Sequence, residues 1–375
     1  LRAAETASTL IRVYMRVLVT GSTGFVGSHV CRLLVDRQHT VFGLCRDSSA
    51  RLPQGCTTVC GDLEDVASLA AALRESAFDV VINVAGVYAW WLADASLFDR
   101  VNVAGVRNLI EALRKHPGAA LVQVSTVLAY GRCCAPQEVF AEETPPGPHA
   151  SAYAASKHRG DAIAQEAFAS GTVRGSTLFL ACCIGADPKL VDAEIDVMRM
   201  LDLVQGSVPA TIAGEVVFTY VSVRDAAEAI VRAAARARSD RGDRWLIGDQ
   251  RLSTRTFYAL IAELSGQPAP AFEIPAWVAR LSARTMTAWA NLVSGRPPTA
   301  PTDLVRTAVS GTLCFDAGKS KRELGMEYTP IRVAFAEAID LITDTTTRTG
   351  EDERDGAMIA AEQRGRLVEE GERGG

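Results

Sequence analysis

The sequence lacks any run of ~18 uncharged apolar residues, so no membrane-spanning helix is expected. The first fourteen residues lack the long apolar stretch of a secretory signal. A dense Lys/Arg stripe is also missing and the formal net charge is −5, so neither nucleic acid nor an anionic membrane is expected as a partner. The nine cysteines are odd in number and irregularly spaced: Cys31, Cys45, Cys56, Cys60, Cys133, Cys134, Cys182, Cys183 and Cys314. Cys56 and Cys60 have no further zinc ligands nearby, so no metal site is expected and several cysteines read as small hydrophobes. A reducing, cytoplasmic compartment fits that usage. The pair Glu142–Glu143 lacks the separation of a two-carboxylate hydrolase site, and no internal repeat is visible.

What remains is ordinary globular composition. With 48% hydrophobic and 22% charged residues over 375 positions, the chain can bury one large or two moderate cores. Met15 stands directly before the first strand, which marks residues 1–14 as an N-terminal extension. From there short apolar runs alternate with helical periodicity. Strands are expected at Arg16–Thr20, Thr40–Cys45, Thr57–Cys60, Asp79–Val84, Ala120–Ser125 and Gly175–Cys183. Helices are expected to Arg37, over Val66–Glu75, Ala104–Lys115 and Tyr153–Ala169. This pattern predicts an α/β, Rossmann-type doubly wound parallel sheet over residues 15–185. Residues 186–344 read mainly as a smaller, mixed substrate lobe, Pro-rich in SGRPPTAP at 294–301. Within it 218–248, with helix Val223–Ala237 and strand Trp245–Ile247, is expected to return to the main sheet. The charged, Gly-rich stretch 345–375 reads as a disordered tail.

Gly21, Gly24 and Gly27 form a GxxGxxG turn between the first strand and helix. Glycines there allow a tight turn and close backbone approach, and with Phe25 and Val26 the helix start offers free N–H groups to a pyrophosphate. A dinucleotide site is therefore expected. The second strand ends at Arg46, where a carboxylate would favour NAD(H); a guanidinium instead suits an extra phosphate, so NADP(H) is favoured and NAD(H) stays open. Ser48 and Ser49 would add hydroxyl contacts, while Asp47 is the dissenting charge. Asp62, followed by Leu63, is placed either to accept from the adenine amino group or to cap a helix. Ala85 and Gly86 follow the fourth strand, where small residues let a cofactor approach.

Tyr153 and Lys157 stand four apart, on one helix face, so the ammonium can favour the phenolate. A hydroxyl residue closes the preceding strand: Thr126 is chosen as the substrate-oxygen partner and Ser125 is the fallback, since strand alternation turns only one inward. Thr126, Tyr153 and Lys157 are thus the candidate catalytic residues. Tyr153 would exchange the proton, with Lys157 also reaching a nicotinamide ribose. Asn102 would hold a backbone kink or a water near the lysine, or cap a helix.

On TGSTGFVG at 20–27, GDL at 61–63, RVNVAGVRNLI at 100–110, VSTVLAYG at 124–131 and YAASK at 153–157, the chain resembles an extended short-chain dehydrogenase/reductase. More narrowly it resembles the dihydroflavonol-4-reductase-like and hopanoid-associated sugar epimerase-like group, through VYAWWLADASLFDRVN at 87–102 and the stretch 315–339. The resemblance covers about 15–341. It implies the same catalytic group, a glycine fingerprint, an NADP-associated arginine at Arg46, a structural role for Asp225, and a homodimer through the helices at Val106–Lys115 and Tyr153. In FLACCIGADP at 179–188, Phe179 and Leu180 replace the polar residue and proline usual in relatives, so relatives' substrate contacts do not transfer.

Tyr88, Trp90 and Trp91, with Phe179, suggest a small-molecule substrate with an apolar or ring-shaped body, or else packing between lobes. His149 reads as an incidental loop histidine. The leading expectation is NADPH-dependent reduction of a ketone or aldehyde, or its reverse. The alternatives are a sugar-nucleotide epimerase or dehydratase that retains its cofactor, a 3β-hydroxysteroid dehydrogenase-like enzyme, and a non-catalytic NADP-binding regulator.

Overall fold

The computed structural model describes residues 14–131, 139–191 and 200–345. The expected extension up to residue 13, Cys133, Cys134 and the stretch from 346 onward lie outside the described residues.

Seven parallel strands form the main sheet: β1 (Arg16–Thr20), β2 (Thr40–Cys45), β3 (Cys56–Cys60), β4 (Val80–Asn83), β5 (Ala120–Thr126), β6 (Gly175–Leu180) and, late in the chain, an edge strand at Arg241–Ile247. In space the order runs edge strand, β6, β5, β4, β1, β2, β3. The direction of winding therefore reverses between β1 and β4, where open α/β sheets bind ligands. Both faces are covered. Helices α1 (Phe25–Asp36) and one at Val223–Arg236 lie against each other on one face, where Val17, Val19, Ile82 and Val122 share their core. On the other, Leu18, Val81 and Leu121 share a core with α2 (Val66–Arg74), α4 (Gly105–Leu113) and α5 (Ala152–Ala169). Successive strand residues thus alternate between two apolar cores, which is why these strands read as unbroken hydrophobic runs.

Two expectations change. The helix expected from Ala104 begins earlier: α3 (Ser96–Asp99) leads through a π-helical turn at Arg100–Ala104 into α4. The strand expected over 175–183 is two strands. Ala181 still donates to the Ile247 carbonyl at 2.9 Å, but β7 (Cys182–Ile184) then leaves the sheet to pair with a strand at Val217–Ser222.

The second half builds on that departure. After α6 (Met200–Val204) come β8 (Ala210–Ile212), β9 (Val217–Ser222), α7 (Val223–Arg236), the edge strand β10 (Arg241–Ile247) and β11 (Gln250–Ser253). Strands β7, β9 and β11 make a three-stranded sheet, so of the stretch 218–248 only β10 joins the main sheet, and α7 packs on α1. Next are α8 (Thr254–Ser265), β12 (Phe272–Ile274) paired with β8, α9 (Ala276–Trp289) continued by a π-helical turn to Ser294, α10 (Thr302–Val309), α11 (Gly318–Glu323) and, last among the described residues, a helix over 331–345. Asp225, at the start of α7, accepts from Thr329 N at 2.7 Å and Thr329 Oγ1 at 3.0 Å and so ties down the segment before that last helix. No helix among the described residues is long and apolar enough to cross a membrane.

Candidate active site

The turn after β1 is built for backbone contact. Gly21 has φ +65°, and a Cβ there would lie 2.8 Å from Ala85 backbone atoms; a Cβ on Gly27 would lie 2.0 Å from the Gly21 carbonyl oxygen. Side chains are excluded at both positions, so β1, the turn and the loop after β4 close on one another through backbone alone. No side chain caps the N-terminus of α1, whose cap residue is Gly24. The first-turn amides of Phe25, Val26 and Gly27 have no partner four residues back in the helix, which leaves donors and positive potential for an anion. These features fit the pyrophosphate of a dinucleotide. Arg46 stands exposed after β2 and makes no ion pair with a described residue, while the Asp47 carboxylate turns back to accept from Ser49 N at 2.8 Å. Asp62 is not the cap of α2: Asp65 fills that place by accepting from Ala67 N at 2.9 Å, and Asp62 Oδ1 instead accepts from Glu64 N at 3.0 Å. Leu63 is buried, and its carbonyl accepts from Asn108 at 2.8 Å.

Across the switch point, α5 carries Tyr153 and Lys157 beneath the end of β5. Ser151 caps this helix by accepting from Ala154 N, which fixes the first turn that bears Tyr153. Thr126, the last residue of β5, lies near enough to the Tyr153 phenol to ease its ionisation, and it accepts from Leu128 N at 3.3 Å. Ser125 points the other way and donates to the Asp161 carboxylate. Period-two alternation thus separates two neighbouring hydroxyls, one towards the phenol and one onto a buried acid. Burial pushes the Tyr153 phenol well above its ordinary pKa, Asp161 and Cys183 add to that cost, and nearby Thr126 pulls it back. The Lys157 ammonium donates to the Val124 carbonyl at 2.8 Å rather than to the phenol, and burial lowers its pKa while Asp161 supports its charge. A Cβ built on Gly86 would lie 3.8 Å from Lys157 Nζ, so the ammonium stands beside the loop that follows β4.

Asn102 does more than kink a backbone. From the π-helical turn it accepts from Val87 N at 2.8 Å and donates to the Val87 carbonyl at 3.0 Å and to Ser156 Oγ at 2.9 Å. One buried amide therefore fixes the loop after β4 to the helix that carries the tyrosine. A π turn supplies the extra residue that lets α4 pass close to α5, and such turns recur at functional sites.

A line of buried polar groups escaped the sequence reading. Thr20 Oγ1 donates to Asn83 Oδ1 at 2.6 Å, Asn83 Nδ2 to Gln123 Oε1 at 2.8 Å, and Gln123 Nε2 to Asp161 Oδ1 at 3.3 Å. It also reaches the glycine turn, since Ala85 N donates to Thr20 Oγ1 at 3.1 Å. Burial pushes the Asp161 carboxyl up to about 6, against the pull of Lys157, Ser125 and Gln123. The signal was present: Asp161 lies one turn past Lys157, and Asn83 and Gln123 interrupt apolar strands at adjacent positions. Cys183, read as a small hydrophobe, also faces the phenol closely enough to oppose its ionisation.

The aromatic residues divide. The Tyr88 ring stands 4.8 Å from that of Tyr153 and 5.6 Å from that of Trp90, centre to centre, with Tyr88 42% exposed. Trp91 donates from its indole to Asn291 at 2.7 Å, reaching the turn after α9. Phe179 is buried, its ring packs edge-on to Tyr130 at 4.8 Å, and it belongs to the core under the site. His149 approaches the Ala129 carbonyl at 2.9 Å and the ring of His158, holding the loop before α5 in place. Glu142 is buried as a brace, accepting from Leu246 N at 3.1 Å. Among the described residues no group of His, Cys, Asp and Glu could hold a metal ion.

Comparison with known proteins bears on the fold and the family. Residues 17–248 match the model of the NAD dependent epimerase/dehydratase family. The chain is 27% identical over 333 residues to a putative dihydroflavonol 4-reductase of Synechocystis sp., covering 86% of this chain and 92% of that protein. It is 27% identical over 336 residues to sterol demethylase protein B of Methylococcus capsulatus, covering 87% and 97%. Among solved structures, gox2253 superposes with a TM-score of 0.73 at 25% identity, covering 88% of this chain and 98% of that one. UDP-glucose 4-epimerase of Thermus thermophilus, in complex with NAD, gives a TM-score of 0.68 at 24% identity, with 88% and 99% covered, and shares the fold. With most of its sheet inside the matched span, the chain belongs to the NAD dependent epimerase/dehydratase family and is an NAD(P)-dependent enzyme of the extended short-chain dehydrogenase/reductase type.

Proposed function

We propose that this enzyme reduces a ketone or aldehyde carried on an apolar, ring-containing body at the expense of NADPH, and oxidises the corresponding alcohol in reverse. The observation that carries this reading is the meeting of Thr126 and the Tyr153 phenol with a wall made by Tyr88 and Trp90. A nicotinamide cofactor, when bound, supplies the hydride. Tyr153 gives its proton to the carbonyl oxygen as that oxygen gains charge, and a phenol kept neutral by burial is the right species for a donor. Thr126 holds the same oxygen in line, and Lys157 keeps positive charge nearby. The cradle of Gly21, Gly24, Phe25, Val26 and Gly27 would hold the pyrophosphate, Asp62, Leu63 and Ala85 would border the adenine and ribose side, and Arg46 would pair with the extra phosphate of NADP(H). Two relatives carry names built on ring-containing molecules, a dihydroflavonol and a sterol. Two copies would meet through α4 and α5.

The test is absorbance at the reduced-nicotinamide band with ketones, aldehydes, steroids and nucleotide sugars, each with NADPH and NADH. Net oxidation of NADPH by an apolar cyclic ketone is the expected result. Interconversion of a nucleotide sugar without net NADPH oxidation would replace this reading with the epimerase one.

A further inference from the structure

Of the seven exposed large apolar side chains in the described second half, five lie on α9 and the π-helical turn that extends it, the others being Phe272 and Val333. Trp277, Trp289 and Leu292 are 69%, 62% and 83% exposed, and Leu281 and Val293 join them. The opposite side of the same helix is buried through Ala279, Ala283 and Ala290. At about 100° per residue, Trp277, Leu281, Ala288 and Leu292 fall on one outward stripe with Trp289 on one flank and Arg280 and Arg284 on the other. Between Glu273 and Asp303 the only charged residues are Arg280, Arg284 and Arg296. The net charge of −5 makes an anionic surface a poor partner for the whole molecule, but salt screens charges beyond about 8 Å, so these three arginines act locally.

A second observation links the face to the active site. Asn291, inside the turn, accepts the Trp91 indole N–H at 2.7 Å, and Trp91 follows Trp90, whose ring meets Tyr88, whose ring meets Tyr153. Through Asn291, Trp91 and its chain neighbour Trp90, the turn is tied to the rings that meet the phenol.

We propose that the outward face of α9 and its π-helical turn docks on an anionic phospholipid bilayer. Trp277, Leu281, Trp289 and Leu292 enter the boundary between headgroups and acyl chains, while Arg280, Arg284 and Arg296 meet lipid phosphates. Indoles and a leucine stripe beside arginines are the composition of a helix lying in such an interface, with long cationic side chains reaching back to the headgroups. A second copy seated on the same face is the rival occupant, and sedimentation separates it from the bilayer. Docking brings the Tyr88–Trp90 wall to the surface in which an apolar ketone dissolves. That last step rests on the reductase reading; the docking does not.

Flotation of the full chain with vesicles tests it. Binding is expected to phosphatidylglycerol-containing vesicles, weakly to pure phosphatidylcholine, and to fall at high salt. The double variant Trp289→Ser/Leu292→Ser should lower partition by about tenfold or more, and Arg280→Gln/Arg284→Gln should erase the preference for phosphatidylglycerol. The proposal is overturned if the wild type does not float, if the Trp289/Leu292 variant floats equally well, or if that variant turns a dimer into a monomer in sedimentation velocity. Turnover of a water-soluble ketone, unchanged in the Trp289/Leu292 variant, is a separate readout: its absence in the wild type defeats the reductase reading and leaves the flotation result to decide docking.

Discussion

The end of the seven-stranded sheet and the outer face of α9 use polarity in opposite ways. At the sheet end, Thr20, Asn83, Gln123, Asp161 and Ser125 are buried, and each is hydrogen-bonded to the next. On α9, rings and aliphatic chains stand in water. A buried polar group without a partner costs several times what a satisfied one does, so the first region holds only if all its members are in place. An exposed indole costs little by itself and gains when another apolar phase takes it up. The difference assigns chemistry to the region that cannot adjust and contact to the region that can.

The sharpest way to break that division is Tyr153→Phe. The ring and its contact with Tyr88 remain while the transferable proton is gone, so kcat should fall about 100- to 10,000-fold with cofactor affinity little changed. Single-turnover reduction under saturating NADPH measures it, and a loss under tenfold would remove Tyr153 from the acid's role. Next in size is the cradle. Gly27→Ala must place a methyl group where only 2.0 Å separates it from the Gly21 carbonyl oxygen, so the turn has to open. NADPH affinity should drop about 100-fold, a change of about 2.7 kcal/mol. The control is Gly118→Ala, where a Cβ meets nothing within 4 Å and fluorescence titration should find affinity unaltered.

These positions show how far the sequence can be read. The sheet was legible because each strand end carries local chemistry: glycines after β1, a hydroxyl closing β5, and a four-residue spacing on α5. Alternation says only that Thr126 and Ser125 face opposite ways; which of the two turns towards the phenol depends on how α5 lies on β5. The rest depended on contacts between distant segments. Nothing in FLACC shows that Phe179 packs on Tyr130 beneath the site, or that β7 crosses to another sheet to pair with β9. Helix α9 has an ordinary amphipathic period, but which side of it meets the protein is settled by α10, far from the residues that set the period.

Arg46→Ala probes the sheet at the far end of the dinucleotide from the phenol. The guanidinium is exposed and unpaired with any described residue, so its removal should leave the fold alone. Losing one charge-assisted contact to a phosphate should raise the KM for NADPH about tenfold or somewhat more. NADH should change less than twofold. Equal losses for both cofactors would show that the arginine reads something shared by them, and would reopen the choice between NADP(H) and NAD(H).

The smallest effect expected is also the one that reaches into the buried line. Asp161 has its carboxyl raised from an ordinary 3.8 to about 6, by burial first. The folded protein therefore holds this proton over a range where the unfolded chain has released it, and stability falls as pH rises from about 4 to about 6 on account of this group. Below 3.8 both states are protonated and the penalty is absent; above about 6 it is present in full. Asp161→Asn keeps an acceptor for Ser125 and removes the titration. Its melting temperature, followed from pH 4 to pH 7, should decline less than that of the wild type by a few degrees, while turnover at neutral pH changes far less than in Tyr153→Phe. Parallel curves for the two proteins would mean that Asp161 is not strained by its ionisation, and that the polar line across β1, β4 and β5 is satisfied more completely than its burial implies.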